Sequence, residues 1–170
     1  MNKKVLVSGC FTTLHIGHQL LLQEASKLGD LYVALNSDDY IIRAKGPAKL
    51  IENWETRKNN ILKTGLAKEV IFFDTDTPRE IAIDLRPDFV VVGSDHNPND
   101  MVWASVIEQW GGQIVYIERL RDENGVDIST TNILKSLEKI SQKVIESATN
   151  NAIKQIADNF GQKLKDRFNY

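Results

Sequence analysis

KVLVSGCFTTLHIGHQLLL, residues 4–22, is the stretch that decides the fold. Its first part, Lys4–Ser8, is a short apolar run with β-branched residues, which predicts a buried strand. Apolar residues then recur at helical spacing from Leu20 to Leu28, and Gly29 is placed to end that helix. The loop between them contains two glycines and two histidines, so the chain begins with a strand, a polar loop and a helix.

The same alternation of strand and helix continues as far as residue 134. Strands are predicted at Leu31–Leu35, Val70–Phe73, Asp88–Val92 and Ile114–Ile117, and helices over Trp54–Leu66, from Thr77 onward and over Asp100–Trp110. Thr77–Glu80 has the form of a capping box with proline at the first helical position, whereas Asn36–Asn53 is polar and predicts a long loop. Short apolar strands separated by helices are typical of a parallel sheet covered on both faces. We therefore predict a Rossmann-like, doubly wound, five-stranded α/β fold.

Residues 135–170 differ from the rest of the chain. They carry 7 Lys and Arg against 4 Asp and Glu, a net +3 that leaves −5 for residues 1–134. Apolar residues recur every four positions from Ile140 to Phe168, which predicts an amphipathic helix, or a helix pair broken at Thr149–Asn151. We therefore divide the chain into a domain over residues 1–134 and a C-terminal helical arm over residues 135–170. The arm either packs on its own domain or forms a dimer contact.

Composition excludes several classes of protein. The chain has 170 residues, 42% of them hydrophobic and 26% charged, with a formal net charge of −2. This balance gives no indication of nucleic-acid or polybasic membrane binding. The single cysteine excludes an internal disulfide framework and a cysteine-rich zinc module. The N-terminal apolar run is too short for a signal peptide, and no run is long enough to cross a membrane, so we expect a cytoplasmic protein.

The loop after the first predicted strand has the features of a phosphate-binding site. His15 and His18 are spaced to share a helix face, and Gly17 between them leaves room for a ligand phosphate. The helix that follows offers unpaired N–H groups and a positive dipole end. In a doubly wound sheet, ligands also bind beyond the carboxyl ends of the strands. A metal site is disfavoured because His96 is the one further histidine and no HExxH pattern is present.

These residues resemble a known family. GCFTTLHIGH, residues 9–18, is similar to the GxFDxxHxGH signature of the cytidylyltransferase-like superfamily, the nucleotidyltransferases with the His-x-Gly-His motif. The resemblance is strongest to the adenylyltransferase domain of ADP-heptose synthase, and it extends to glycerol-3-phosphate cytidylyltransferase. Further collinear matches are Asn36–Asp38, KGPAK at residues 45–49, ETR at 55–57, FFDTDTP at 72–78, GSD at 93–95 and STTNI at 129–133.

The resemblance implies a role for each matched residue. His15 and His18 would stabilise charge at the α-phosphorus of a nucleoside triphosphate, with Thr130 as a third catalytic residue. Nucleotide binding would fall to Gly9, Cys10, Phe11, Thr12, Gly17, Gly93, Asp95, Arg119, Arg121, Ser129, Thr130 and Thr131. The phosphorylated acceptor would be bound by Asn36, Asp38, Lys45, Lys49 and Arg57.

The implied reaction transfers a nucleoside monophosphate from a nucleoside triphosphate, ATP in preference to CTP, to a phosphorylated sugar or polyol and releases pyrophosphate. The acceptor phosphate is already ionised, so catalysis needs positioning and charge neutralisation rather than a base. Mg²⁺ would accompany the nucleotide, held mostly by phosphate oxygens and water. We do not expect nucleic acid or a membrane as a partner. We expect a homo-oligomer, most simply a dimer formed through the arm.

Two alternatives to this reaction stay open. One is a cytidylyltransferase that makes a CDP-sugar or CDP-alcohol. The other is a catalytically silent nucleotide-binding module, which two departures from the family pattern favour: Thr12 stands where the family has aspartate, and Val91 stands where the heptose-type members have lysine.

Overall fold

A five-stranded parallel sheet forms the centre of the N-terminal part of the chain. The computed structural model describes residues 2–94, 98–118, 121, 125 and 130–168, and for residues 98–100, 130–134, 136 and 160–168 it describes the backbone alone. The strands are β1 Lys4–Gly9, β2 Asp30–Asn36, β3 Ala67–Phe73, β4 Phe89–Gly93 and β5 Gln113–Ile117. Their order in the sheet is β3-β2-β1-β4-β5, and every pair is parallel. The predicted doubly wound fold is confirmed.

Helices cover both faces of this sheet. They are α1 Ile16–Ser26, α2 Asp38–Lys45, a 3₁₀ turn Pro47–Lys49, α3 Trp54–Lys63, α4 Arg79–Leu85 and a 3₁₀ helix Pro98–Trp110. One apolar cluster packs α1 and α3 on the face that carries Val5 and Val7. A second cluster packs α4 and the 3₁₀ helix on the face that carries Leu6. Because strand side chains alternate between faces and both faces are buried, β1 is apolar throughout its middle.

The segment predicted as a long loop, Asn36–Asn53, is mostly helical. Ser37 Oγ accepts a hydrogen bond from the Tyr40 N–H at 2.8 Å and so caps α2. Two aspartates in its first turn and two basic residues in its last turn complement the helix dipole. The helix ends at Gly46, whose φ of +87° suits glycine. The loop prediction is wrong because α2 buries Ile41 fully but carries no apolar stripe along the segment.

The capping box predicted at Thr77–Glu80 is absent. Helix α4 begins at Arg79, so Pro78 occupies the N-cap position, and no side chain makes a capping hydrogen bond. The turn before the helix is closed instead by the Thr75 hydroxyl, which donates to the Thr77 carbonyl at 2.8 Å. The prediction of a helix in this segment is confirmed, but its cap is not.

The C-terminal part of the chain is one long helix. The chain divides into two compact units, Met1–Thr130 and Thr131–Tyr170, and α5 runs unbroken over Thr130–Phe168. The break predicted at Thr149–Asn151 is wrong, because threonine and asparagine inside a helix each cost well under about 1 kcal/mol and neither proline nor glycine stands there. The described side chains from residue 137 to residue 159 are exposed. No helix in the described part of the chain is long and apolar enough to cross a membrane. The division at residue 134 stays a prediction.

Candidate active site

The direction in which the chain crosses the sheet reverses between β1 and β4. The chain passes from β1 outward through β2 to β3, and then returns to the other side of β1 for β4 and β5. Ligands of doubly wound sheets bind at this reversal, in the crevice beyond the carboxyl ends of the strands. Gly9 ends β1 and Gly93 ends β4 at that edge, and the loop from Cys10 to His15 leads from β1 into α1.

The two motif histidines contact each other at the N-terminus of α1. His15 is the N-cap residue, and its Nδ1 accepts a hydrogen bond from the backbone N–H of His18 at 3.4 Å. The two imidazole rings are stacked, with centroids 3.7 Å apart and planes 23° from parallel. Gly17 lies between them in the first turn of the helix. The predicted pair therefore shares one end of one helix, at the reversal point of the sheet.

The hydrogen bonds of the histidines assign a tautomer to each ring. His18 Nδ1 lies 2.8 Å from the Thr13 carbonyl oxygen, and a carbonyl only accepts, so His18 Nδ1 carries a proton. His15 Nδ1 accepts the His18 N–H, so the proton of a neutral His15 lies on Nε2. The two rings thus differ in which nitrogen is the donor.

Phe11 is held in an uncommon backbone conformation beside these histidines. Its φ is +43°, in the left-handed region, although it is not a glycine. The side chain is 4% exposed, and its ring centroid lies 4.7 Å from that of His18. A Cβ on Gly9 would lie 3.2 Å from Phe11 Cε2, so the ring occupies the space above that glycine. Thr12, which follows, is also buried. A strained backbone conformation of this kind persists only where the surrounding packing holds the residue in place.

A second group of polar side chains lies at the carboxyl end of β2. Cys10 Sγ donates to Asn36 Oδ1 at 3.4 Å, and the Ser37 hydroxyl donates to Asp74 Oδ1, which follows β3. Burial raises the pKa of Tyr40 above its ordinary value, and Cys10 and Asp76 raise it further. The phenol is therefore held neutral, as a donor. Ser37 and Asp74 lie in two of the matched stretches, Asn36–Asp38 and residues 72–78, but no site role was predicted for them or for Tyr40. The S-D-D run directly after β2 is the signal that marks this edge.

Arg57 was predicted to contact substrate phosphate, but its guanidinium lies inside the protein. The side chain is fully buried. Its Nη1 donates to the Cys10 carbonyl, its Nε to the Glu52 carbonyl at 3.1 Å, and its Nη2 to the Asn36 carbonyl at 2.9 Å and to Asp38 Oδ1 at 2.7 Å. Four protein acceptors therefore engage four of the five N–H donors of this buried side chain, which disfavours the predicted contact with substrate phosphate.

Asp38 is occupied in a similar way. One carboxylate oxygen accepts from Arg57, and the other, Oδ2, accepts from the backbone N–H of Trp54 at 3.1 Å. The Trp54 indole N–H donates in turn to the Leu35 carbonyl at 3.3 Å. Asp38 thus joins the start of α2 to the start of α3, and both of its oxygens have protein partners.

The remaining predicted residues fall into three groups. Lys45 ends α2 and is exposed, and Lys49, half-buried, ends the 3₁₀ turn beyond it. Thr130 and Thr131 open α5, and Arg121 is exposed. Asp95, Arg119 and Ser129, and with them His96, lie outside the described residues. Within the described ranges, no group of three or more His, Cys, Asp and Glu is arranged to hold a metal ion.

The fold and this site together define a class. The sheet is parallel and doubly wound, and the stacked histidine pair of an HxGH motif lies at a helix N-terminus beside the point where the sheet reverses. This combination is typical of the nucleotidyltransferases. The family model described as cytidylyltransferase-like matches residues 6–136. The chain belongs to the cytidylyltransferase-like family.

Individual relatives agree with this assignment. The chain is 38% identical over 134 residues to the bifunctional protein HldE of Syntrophotalea carbinolica. The aligned region covers 78% of this chain and 26% of that protein. It thus spans about a quarter of the length of that curated relative. Among solved structures, a lipopolysaccharide core biosynthesis protein from Thermoplasma volcanium has a TM-score of 0.56 at 24% identity and covers 69% of this chain and 96% of its own.

A second solved structure has the same fold at lower identity. A pantoate-beta-alanine ligase from Francisella tularensis has a TM-score of 0.56 at 11% identity, and covers 77% of this chain and 64% of its own. Because both identities are below 25%, the two solved structures support the fold of this chain and nothing more specific.

Proposed function

We propose that this chain transfers a nucleoside monophosphate from a nucleoside triphosphate, ATP in preference to CTP, to a phosphorylated sugar or polyol. The observation that carries the proposal is the stacked pair of His15 and His18 at the N-terminus of α1. Two imidazoles and the positive end of a helix dipole at one point suit a polyphosphate. The preference for ATP and for a sugar phosphate rests on the resemblance to the adenylyltransferase domain of ADP-heptose synthase.

The reaction needs no general base. An ionised phosphate oxygen of the acceptor attacks the α-phosphorus of the nucleotide, and a new P–O bond forms there. The bond between the α-phosphorus and the oxygen bridging to the β-phosphorus breaks, and pyrophosphate leaves with that electron pair. Negative charge grows on the α-phosphate oxygens and on the bridging oxygen. His15 through its Nε2–H, and His18 through Nε2–H when its ring carries both protons, would stabilise this charge together with the positive end of the α1 dipole.

The remaining contacts are proposed as follows. Gly9, Cys10, Phe11, Thr12, Gly17, Gly93 and Arg121, with Thr130 and Thr131 of α5 and with Asp95, Arg119 and Ser129, bind the nucleotide. Lys45 and Lys49 bind the acceptor phosphate together with Asn36, and Asp38 contributes to the same acceptor site. Mg²⁺ enters as part of the nucleotide substrate, where it neutralises phosphate charge and is held mostly by phosphate oxygens and water.

We also propose that the chain is a homo-oligomer, most simply a dimer, formed through residues 135–170. A series of apolar side chains on α5 is 56% to 69% exposed: Leu137, Ile140, Val144, Ile153 and Ile156. A helix with this many exposed apolar residues gains stability by covering them. A second copy of the same helix offers a matching surface.

Pyrophosphate release tests the proposed reaction. ATP, CTP, GTP and UTP are each combined with Mg²⁺ and a panel of sugar 1-phosphates, pentose phosphates and glycerol 3-phosphate. Release with ATP and one sugar phosphate is the expected result, and release with CTP alone would identify the cytidylyltransferase instead. If no pair reacts while a nucleotide still raises the melting temperature, the remaining explanations are an acceptor outside the panel and the silent binding module.

A further inference from the structure

We infer that Arg57 is a positioning residue for the histidine loop: its buried guanidinium holds the Cys10 carbonyl and thereby fixes Phe11 and the imidazole of His18. The effect on turnover rests on the proposed nucleotidyl transfer. The effect on the geometry of His18 does not, and it can be measured separately.

Four acceptors surround the Arg57 guanidinium. They come from the loop after β1, the end of β2, the first residue of α2 and the residue Glu52 shortly before α3. The ion pair with Asp38 is 2.7 Å long, and the Arg57 side chain is 0% exposed. A planar guanidinium presents its donors in a fixed geometry, so one rigid group sets the positions of all these segments relative to one another.

The Cys10 carbonyl connects Arg57 to the backbone of Phe11. The Cys10 carbonyl and the Phe11 N–H belong to one planar peptide unit, so the direction in which Arg57 holds the carbonyl also orients the backbone at Phe11. That residue has the left-handed φ of +43°. A phenylalanine leaves this region unless its surroundings hold it there. Arg57 restrains the Phe11 backbone through the preceding peptide. The packing of the Phe11 ring over Gly9 restrains the same residue through its side chain.

The Phe11 ring in turn contacts the imidazole of His18. The two rings lie 4.7 Å apart and are inclined at 53°. The same imidazole donates from Nδ1 to the Thr13 carbonyl, two residues after Phe11. If the Cys10 carbonyl is released, Phe11 can relax to a negative φ, and both the ring beside His18 and the loop that carries Thr13 then move. His18 would lose the contact that fixes its orientation and the bond that fixes its tautomer.

Arg57→Lys tests this chain of contacts, because lysine keeps the charge but cannot present the planar set of donors. We expect kcat to fall about 10- to 100-fold, with a smaller change in KM for the nucleotide. We also expect the imidazole ¹⁵N signals of His18 to move from the Nδ1–H tautomer toward a mixture. The second readout needs no substrate, so it separates a failure of this inference from a failure of the proposed reaction.

Trp110→Phe is the matched control for lost stability. It removes the hydrogen bond from the Trp110 indole to the Pro87 carbonyl, 2.9 Å long, at the other end of the strands. We expect a lower melting temperature, with the His18 signals and the turnover of the folded enzyme unchanged. A folded Arg57→Lys protein with wild-type His18 signals would overturn the inference.

A second variant covers the case in which Arg57→Lys does not fold. Asp38→Asn keeps an acceptor for the Trp54 N–H but weakens the hold on the Arg57 guanidinium. We expect the His18 signals to move in the same direction by a smaller amount. Signals identical to those of the wild type in this variant would contradict the inference.

Discussion

His15 and His18 stack at 3.7 Å, and the same His15 ring accepts the His18 backbone N–H through Nδ1. His15 therefore has two separable roles, one as the cap of α1 and one as a donor from Nε2 toward a ligand. The side chain that begins the helix is also a side chain that the proposed reaction uses.

His15→Asn separates these two roles. The amide oxygen of asparagine is among the best N-cap acceptors, so the stability of α1 is expected to be retained, whereas His15→Ala loses about 1 kcal/mol. Both substitutions are expected to lower kcat by at least about 100-fold, since both remove the imidazole donor. Thermal unfolding and pyrophosphate release measure the two effects. Near-normal turnover in the asparagine variant would remove His15 from the chemistry.

Gly9→Ala tests the packing of the Phe11 ring. The new methyl group would lie 3.2 Å from Phe11 Cε2, so the ring must shift. We expect a loss of about 1–3 kcal/mol in the free energy of unfolding. In a double-mutant cycle with Phe11→Leu, the smaller side chain should recover part of that loss. Additive losses would mean that the ring is not what Gly9 accommodates.

Tyr40 predicts a stability change at alkaline pH. Its pKa is raised above the ordinary value of 10.0, first by burial, so the folded state keeps the proton longer than the unfolded state does. The contribution to stability is fully present below pH 10 and is lost as the pH rises toward the folded-state pKa. Chemical denaturation of the wild type and of Tyr40→Phe should give a constant difference below pH 10 that shifts in favour of the phenylalanine variant above it. A difference that does not change with pH would contradict this.

The proposed dimer can be tested on α5. Ile140→Lys with Ile156→Lys places two charges among its exposed apolar residues, and sedimentation velocity over a range of concentrations is expected to show the monomer. Ser147→Lys with Asn150→Lys adds the same charge to the same helix, on the polar face that Lys143 and Lys154 share, and is expected to leave the dimer intact. Equal masses for the wild type and the isoleucine variant would exclude self-association through these residues.

The sequence predicted the sheet well and the connections less well. β1 and β4 are continuous apolar runs because both of their faces are buried, and this pattern can be read without knowing the neighbours. Helix α2 could not be read in this way, because a single buried residue, Ile41, anchors it. The placement of His15 and His18 followed from their spacing and from the end of β1.

The role of Arg57 shows where such prediction stops. An arginine near a predicted phosphate site is expected to bind phosphate, and nothing in the local sequence indicates that its acceptors are carbonyls of Cys10 and Asn36, 47 and 21 residues away. Burial of a charged side chain depends on which distant segments converge on it. That convergence is a property of the strand order rather than of the residues around position 57.

The position of β1 in the middle of the sheet has a consequence for synthesis of the chain. One edge of β1 pairs with β2, with Lys4 opposite Asp30. Its other edge pairs with β4, with Val5 opposite Phe89, and stays unpaired until β4 has been synthesised. A nascent chain that ends before Phe89 therefore exposes an apolar strand with one unpaired edge, a template for pairing with other chains. The proposed phosphate site likewise lacks its β4 side until translation has passed Gly93.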